Sequence, residues 1–190
     1  MNMFDYLQLS ARTAAELEHP RRDVFKTDAD LCSQLLPVMA AGRMADYTKR
    51  CVFYREDVAK TQERAEKGNN ELGLLSEAIE VMRDENSQKL LGLTRIDLIH
   101  AALGLISEAG EILEEVVESY ADDRPVDLTN IREELGDAEW YQALGLRASD
   151  ATFESVAEQN IEKLRIRYPE KFTSENALNR DLQAEKQALK

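Results

Sequence analysis

The chain has 190 residues, 43% of them hydrophobic, and a formal net charge of -13. That length suits one domain, or one domain with a large insertion, and the apolar content is enough for a core. The charge argues against a general nucleic-acid-binding surface, which needs a basic stripe. Aromatics are few, at 6%, and there are only 8 glycines, against many Ala, Leu, Glu and Lys residues. No stretch alternates cleanly between apolar and polar residues, so an all-α fold is expected.

The first helix is predicted over about 3–18, with Phe4, Leu7, Ala11, Ala14 and Ala15 as its apolar stripe and His19-Pro20 as its stop. A second helical stretch is predicted over 28–40, where Pro37 is expected to kink or break it. A third is predicted over 44–66, closed by Gly68-Asn69-Asn70, and a fourth over 71–83. The strongest follows. Thr94 to Asp97 resembles a capping box, and Ile96, Ile99, Leu103, Ile106, Gly110, Leu113 and Val117 then recur at helical spacing up to about Tyr120. Small residues on it, including Ala101, Gly104 and Gly110, permit close approach by a neighbour.

A loop is predicted over 121–129, then a helix capped by Thr129 or Asn130 and carrying Leu135, Ala138, Tyr141 and Leu144 to about Arg147. Ser149 or Asp150 is expected to cap a last core helix over 151–167, which Pro169 terminates. Residues 173–190 read as a polar tail, either a short exposed helix or frayed. Cys32 and Cys51 form no CxxC and no disulfide framework, and are expected as free thiols. The N-terminus has neither a basic leader nor a long apolar run. The longest apolar stretch, Leu98 to Ile106, is interrupted by His100 and too short to span a bilayer. A cytoplasmic protein without membrane contact is expected.

Four carboxylates are the most informative residues. Glu108 and Glu111 form one i, i+3 pair, and Glu134 and Asp137 form another. On a helix each pair projects from one face, and like charges so placed repel unless a cation sits between them. Two such pairs on consecutive antiparallel helices would build an oxygen cage for a hard divalent cation, most plausibly Mg²⁺. The acids crowd there: residues 108–139 hold twelve acids and two bases. The competing reading is a solvated acidic helix face. A second ExxE, Glu77 and Glu80, sits in a segment that echoes the first, but no second ExxD follows it within the same distance. Chance similarity of amphipathic helices accounts for it.

Other chemistries fit less well. A di-iron bundle needs Glu-x-x-His from two helices, and the chain has only His19 and His100, neither three residues after a Glu. No Cys/His cluster suits zinc, and no EF-hand, phosphate loop or GxSxG elbow is present. A Mg²⁺ site open to phosphate oxygens needs cationic partners. Asn160, Lys163 and Arg167 share one helical face and supply them, Lys163 as a point charge and Arg167 as a bidentate donor. The same residues could instead form a solvated basic face pairing with Glu158 or Glu162.

Taken together, Glu108-x-x-Glu111, a gap of 22 residues and Glu134-x-x-Asp137, with the flanks LGLISEAGE, EELGDAEWY and NIEKLRIRYPEKF, resemble the all-α nucleoside triphosphate pyrophosphohydrolases. This MazG-like group includes the dimeric dUTPases and dCTP pyrophosphatases. The resemblance covers about 96–172, and the opening helix is similar too. It implies hydrolysis of the α–β phosphoanhydride of a (deoxy)nucleoside triphosphate to monophosphate and pyrophosphate. It also implies Mg²⁺, with Mn²⁺ as a possible substitute, held by Glu108, Glu111, Glu134 and Asp137. Tyr141 matches a frequent substrate-contact position, although a core tyrosine beside Trp140 would look the same. Asn160, Lys163 and Tyr168 match a pattern expected near phosphate or sugar, and Gln8 and Arg12 are weaker pocket candidates.

His100 reads as a satisfied core or interhelix histidine. The expected architecture is a four-helix-bundle-type core completed by oligomerisation into a homodimer or homotetramer, within a single domain over 1–172. Residues 96–172 form its metal and substrate core, and 20–94 a helical insertion that compact relatives lack. The alternative is a non-catalytic helical protein that binds a nucleotide or a partner and carries an acidic cation site.

Overall fold

The computed structural model describes residues 3–11, 27–84, 92–187 and 189, all helical or connecting, with no strand among them. The helices are α1 (Met3–Ser10), α2 (Asp28–Tyr54), α3 (Val58–Asp84), α4 (Leu93–Ala121), α5 (Leu128–Ala148), α6 (Phe153–Arg167), α7 (Ser174–Leu178) and α8 (Leu182–Gln187). The all-α expectation holds. None of these helices is long and apolar enough to cross a membrane. The chain forms two compact units, 1–19 with 91–156, and 20–90 with 157–190.

In the first unit α4 and α5 form an antiparallel hairpin, and α1 packs on α5. Small residues set the spacing. Ala101 and Ala143 are buried, a Cβ on Gly145 would sit 3.5 Å from the Ala101 methyl, and a Cβ on Gly104 would overlap the Tyr141 ring. The tyrosine is therefore seated in a notch that only glycine leaves open. Gly104→Ala should force α4 and α5 apart, costing at least the roughly 1–3 kcal/mol of an overpacked core. A thermal melt showing no loss of stability would refute that packing.

The loop between these helices is held by a clamp. Arg124 donates from Nη1 and Nη2 to the two Glu115 oxygens at 2.7 and 2.8 Å, and the Asp127 N–H donates to Glu115 Oε1 at 2.6 Å. These bonds hold the Glu115 carboxyl down at about 2. Asp127 then caps α5 by accepting from the N–H groups of Thr129 and Asn130, so the cap lies two residues before the expected Thr129. At the other end of the hairpin α4 begins at Gly92, with no side-chain cap. The expected box at Thr94 is not used because Thr94 already lies inside the first turn. Phe153 packs edge-on against Tyr6 at 6.3 Å. The start of α6 is closed by Thr152 and Ser155, each side chain accepting from the other's N–H at 3.1 Å. Ser149, the expected cap, instead ends α5.

The second unit is built on an α2–α3 hairpin, and its breaks differ from the expected ones. Thr27 and Asp30 form a reciprocal capping box, after which α2 runs unbroken through Pro37 to Tyr54. It ends where Arg55 adopts left-handed geometry (φ 56°), with Glu56 N–H closing on Arg50 O at 3.1 Å. The helix α3 then runs through Gly68-Asn69-Asn70. Glycine in a helix costs about 1 kcal/mol relative to alanine, and here packing offsets it. Arg43 Nη1 donates to Gly68 O, Tyr47 Oη donates to Arg64 O at 3.0 Å, and a Cβ on Gly68 would sit 2.5 Å from Tyr47 Oη. The glycine marks a close crossing with α2 and not a helix end.

The segment after Phe172 is structured. Thr173 caps α7, α7 packs on α2, and the buried Glu185 of α8 accepts from Arg167 Nε at 2.9 Å and Nη2 at 2.6 Å, and from Arg180. Hydrogen bonds from Arg167, then from Arg180, hold the Glu185 carboxyl down at about 2, below its ordinary 4.5. A carboxyl depressed in the folded state stabilises above its unfolded pKa, and that stability is lost as pH falls from about 4.5 through about 2. Glu185→Gln should cost roughly 3 kcal/mol at pH 7, as breaking a buried pair does, and should flatten acid unfolding in that window. An unchanged acid limb in circular dichroism would contradict it.

Of the predicted first helix, residues 3–10 are helical, and 12–18, with Arg12, lie outside the described residues. Cys32 and Cys51 are both free.

Candidate metal centre

The hairpin of α4 and α5 brings carboxylates from both helices together. One oxygen from each of Glu108, Glu111 and Glu134 can be chosen so that all three lie within 4.8 Å of one another. Glu108 and Glu111 stand one turn apart on α4, and Glu134 faces them from α5. Glu108 and Glu134 are both buried, each 7% exposed, and Glu111 is exposed. Ser107 Oγ lies 3.1 Å from Glu108 Oε1 and 2.9 Å from Gly104 O, next to the cluster.

Three carboxylates so close cannot all be ionised without a counter-charge. Burial, then a hydrogen bond with Glu108, then the charges of Glu111, Glu108 and Glu133 push Glu134 up from 4.5 to about 7. The donors are all carboxylate oxygens, which suit a hard divalent cation rather than zinc or copper.

Asp137 stands outside this group of three. It is exposed on α5, and its charge is felt at Tyr6, whose hydroxyl donates to Gly136 O at 3.4 Å. Burial, then Glu139 and Asp137, raise the Tyr6 pKa. Arg147, which the periodicity did not single out, ties α1 to α5 by donating to Ser10 Oγ at 2.7 Å and Leu7 O at 3.3 Å. Gln8 is exposed on α1.

Beside the cluster lies a groove of about 430 Å³ lined by Glu111, Glu134, Glu114, Glu118, Asn130 and Arg124, with Glu115 and Asp127 at its wall. Arg124 is the one cation among the described residues that line it. It was legible only as one of two bases in the acidic run, and nothing in its spacing announced the clamp on Glu115. Tyr141 and Trp140 meet edge-to-face at 5.0 Å, and His100 packs on both rings at 5.7 and 6.1 Å. His100 is thus an interhelix residue.

The remaining expected residues lie in the second unit. Asn160 is exposed and Lys163 half-buried on α6. The Arg167 guanidinium is engaged by Glu185 and lies 5.8 Å from the Tyr168 ring centroid. Tyr168 packs on Phe172 at 5.4 Å. Glu162 pairs with Arg165. Glu77 and Glu80 are exposed on α3, and no metal-type cluster among the described residues includes them.

Residues 99–172 match the MazG nucleotide pyrophosphohydrolase domain. The matched MazG segment holds all four carboxylates, Tyr141 and the α6 residues. It agrees with the resemblance read from the sequence over 96–172, and it supports nucleotide pyrophosphohydrolase activity as the general class. No curated protein and no solved structure matches the chain significantly.

Proposed function

We propose that this protein is a Mg²⁺-dependent nucleoside triphosphate pyrophosphohydrolase, cleaving the α–β phosphoanhydride of a (deoxy)nucleoside triphosphate to monophosphate and pyrophosphate. The observation that carries this reading is the convergence of Glu108, Glu111 and Glu134 from two helices inside the MazG segment. Their all-oxygen donor set fits Mg²⁺, with Mn²⁺ as a substitute. Glu108, Glu111 and Glu134 would hold the ion, with Asp137 as a further ligand. When bound, such an ion neutralises phosphate charge and makes a water more nucleophilic.

The chain's own groups would bind and orient the substrate. Lys163 and Asn160 would contact phosphate or sugar, Tyr168 the sugar, and Tyr141 the nucleotide beside the carboxylates. Arg167 would join them only by exchanging Glu185 for phosphate. An exposed apolar stripe on α4, with Leu113 64%, Val117 63% and Tyr120 89% exposed, supports a homodimer or homotetramer, because pairing would bury it. A cytoplasmic setting goes with this reading. The test is purified protein with Mg²⁺ and a panel of (d)NTPs. Monophosphate and pyrophosphate are the expected products, and orthophosphate alone or turnover indifferent to EDTA would overturn the proposal.

A further inference from the structure

The α2–α3 hairpin carries a second charged feature, opposite in sign to the metal centre. Arg43, Tyr47 and Arg50 recur at i, i+4, i+7 along α2, and Lys60, Arg64 and Lys67 recur with the same spacing along α3. Each set therefore lies on one helical face. The two faces meet in a groove of about 350 Å³ lined, among the described residues, by Arg43, Tyr47, Arg50, Arg64 and Lys67, with the acids Asp46 and Glu71. A second pocket of about 370 Å³ shares Arg64 and Lys67 with it and adds Lys60 and Glu63. In a chain of net charge -13, this is a local excess of cations.

The cations are only partly neutralised. Arg43 pairs with Glu71 at 3.3 Å, Arg50 Nε with Asp46 at 2.9 Å, and Arg64 with the buried Glu56 at 3.1 Å. Arg50 Nη1 is buried with no hydrogen-bond partner among the described residues, and lies 3.8 Å from Glu56 Oε1. Lys60 and Lys67 are exposed and have no ion-pair partner among the described residues. Gly68 lets the floor residues seat closely, since a Cβ there would run into Tyr47 Oη and Arg43 Nη1.

The geometry points to a binding site for a polyphosphate anion in this hairpin, with Lys60, Lys67 and Arg64 as its charge contacts and Tyr47 and Arg43 at its floor. Guanidinium forks and mobile ammonium groups are the donors that recognise phosphate oxygens. The groove's size suits a short phosphate chain, free or on a nucleotide. The overall acidity of the protein disfavours a nucleic acid.

The test is calorimetric titration of the full chain with sodium tripolyphosphate in EDTA, where the acidic cluster has no cation and repels the ligand. Saturable binding that weakens with salt is expected. It should fall at least tenfold in Lys60→Glu/Lys67→Glu, fall less in Lys60→Gln/Lys67→Gln, and stay within about twofold in Glu111→Gln. ATP binding equally well or better also supports the site, because the phosphate chain is then what both ligands share. No binding by the wild type overturns the inference. So does binding lost in Glu111→Gln but kept in the lysine variants, or tighter binding of a short RNA than of tripolyphosphate. Because the test runs without metal or turnover, its outcome is independent of the proposed hydrolysis.

Discussion

Glu111→Gln is expected to lower pyrophosphate release by about 10³-fold or more while leaving the helical circular dichroism intact. The side chain is exposed on α4, so the amide fits without burying a new polar group. What it loses is one negative oxygen from a group of three that lie within 4.8 Å. If those oxygens hold the ion that steadies developing phosphate charge, the loss removes several kcal/mol of transition-state stabilisation. Turnover within about tenfold of wild type would mean that the cluster is not the reaction centre. Glu115→Gln is the matched control. It changes a carboxylate on the same helix, but its expected effect runs through the Arg124 clamp and hence through stability.

The second large effect is on stability without substrate. Glu134 is held at about 7, above its ordinary 4.5, by burial, then by the hydrogen bond with Glu108, then by Glu111 and its other acidic neighbours. A carboxyl raised on folding binds more protons in the folded than in the unfolded state. Stability therefore falls as pH rises from about 4.5 through about 7, and the full penalty is present above that. Glu134→Gln removes the penalty, so the metal-free variant should melt higher than wild type at pH 8, by about 2–4 °C, and by less at pH 5.

Mg²⁺ should act on the wild type in the same direction. At about 100 times its Kd it adds about 2.7 kcal/mol, or roughly 5–10 °C in a chain of this length. Glu134→Gln should lose most of that response. A wild-type melt indifferent to Mg²⁺ at both pH values, or a variant that melts lower than wild type at pH 8, would contradict the picture.

Much of this was legible because periodic signals report directly on packing. The i, i+3 acid pairs set Glu108 beside Glu111, and the run of small residues on the same helix foretold close approach by a neighbour, which Tyr141 makes at Gly104. What the periodicity did not carry were contacts made across space. Gly68 and its two asparagines read as a stop because their cost is local, whereas Arg43 and Tyr47, which offset it, come from another helix. Thr94 looked like a cap because the motif was local, and the helix is capped two residues earlier, at Gly92. Arg124 and Glu185 gave no sequence signal beyond charge. Their roles rest on partners 9 residues away for Arg124 and 18 for the pairing with Arg167. Asp137 shows the same limit from the other side: its spacing from Glu134 matches that of the first pair, yet the group of three forms without it.

The central claim is that carboxylates from α4 and α5 grip a common cation. Crystals grown with Mn²⁺ and measured at the manganese absorption edge test it most directly. The account predicts an anomalous peak among Glu108, Glu111 and Glu134, within coordination distance of an oxygen of each, that disappears in Glu134→Gln. Manganese bound elsewhere with those three side chains turned apart would contradict it.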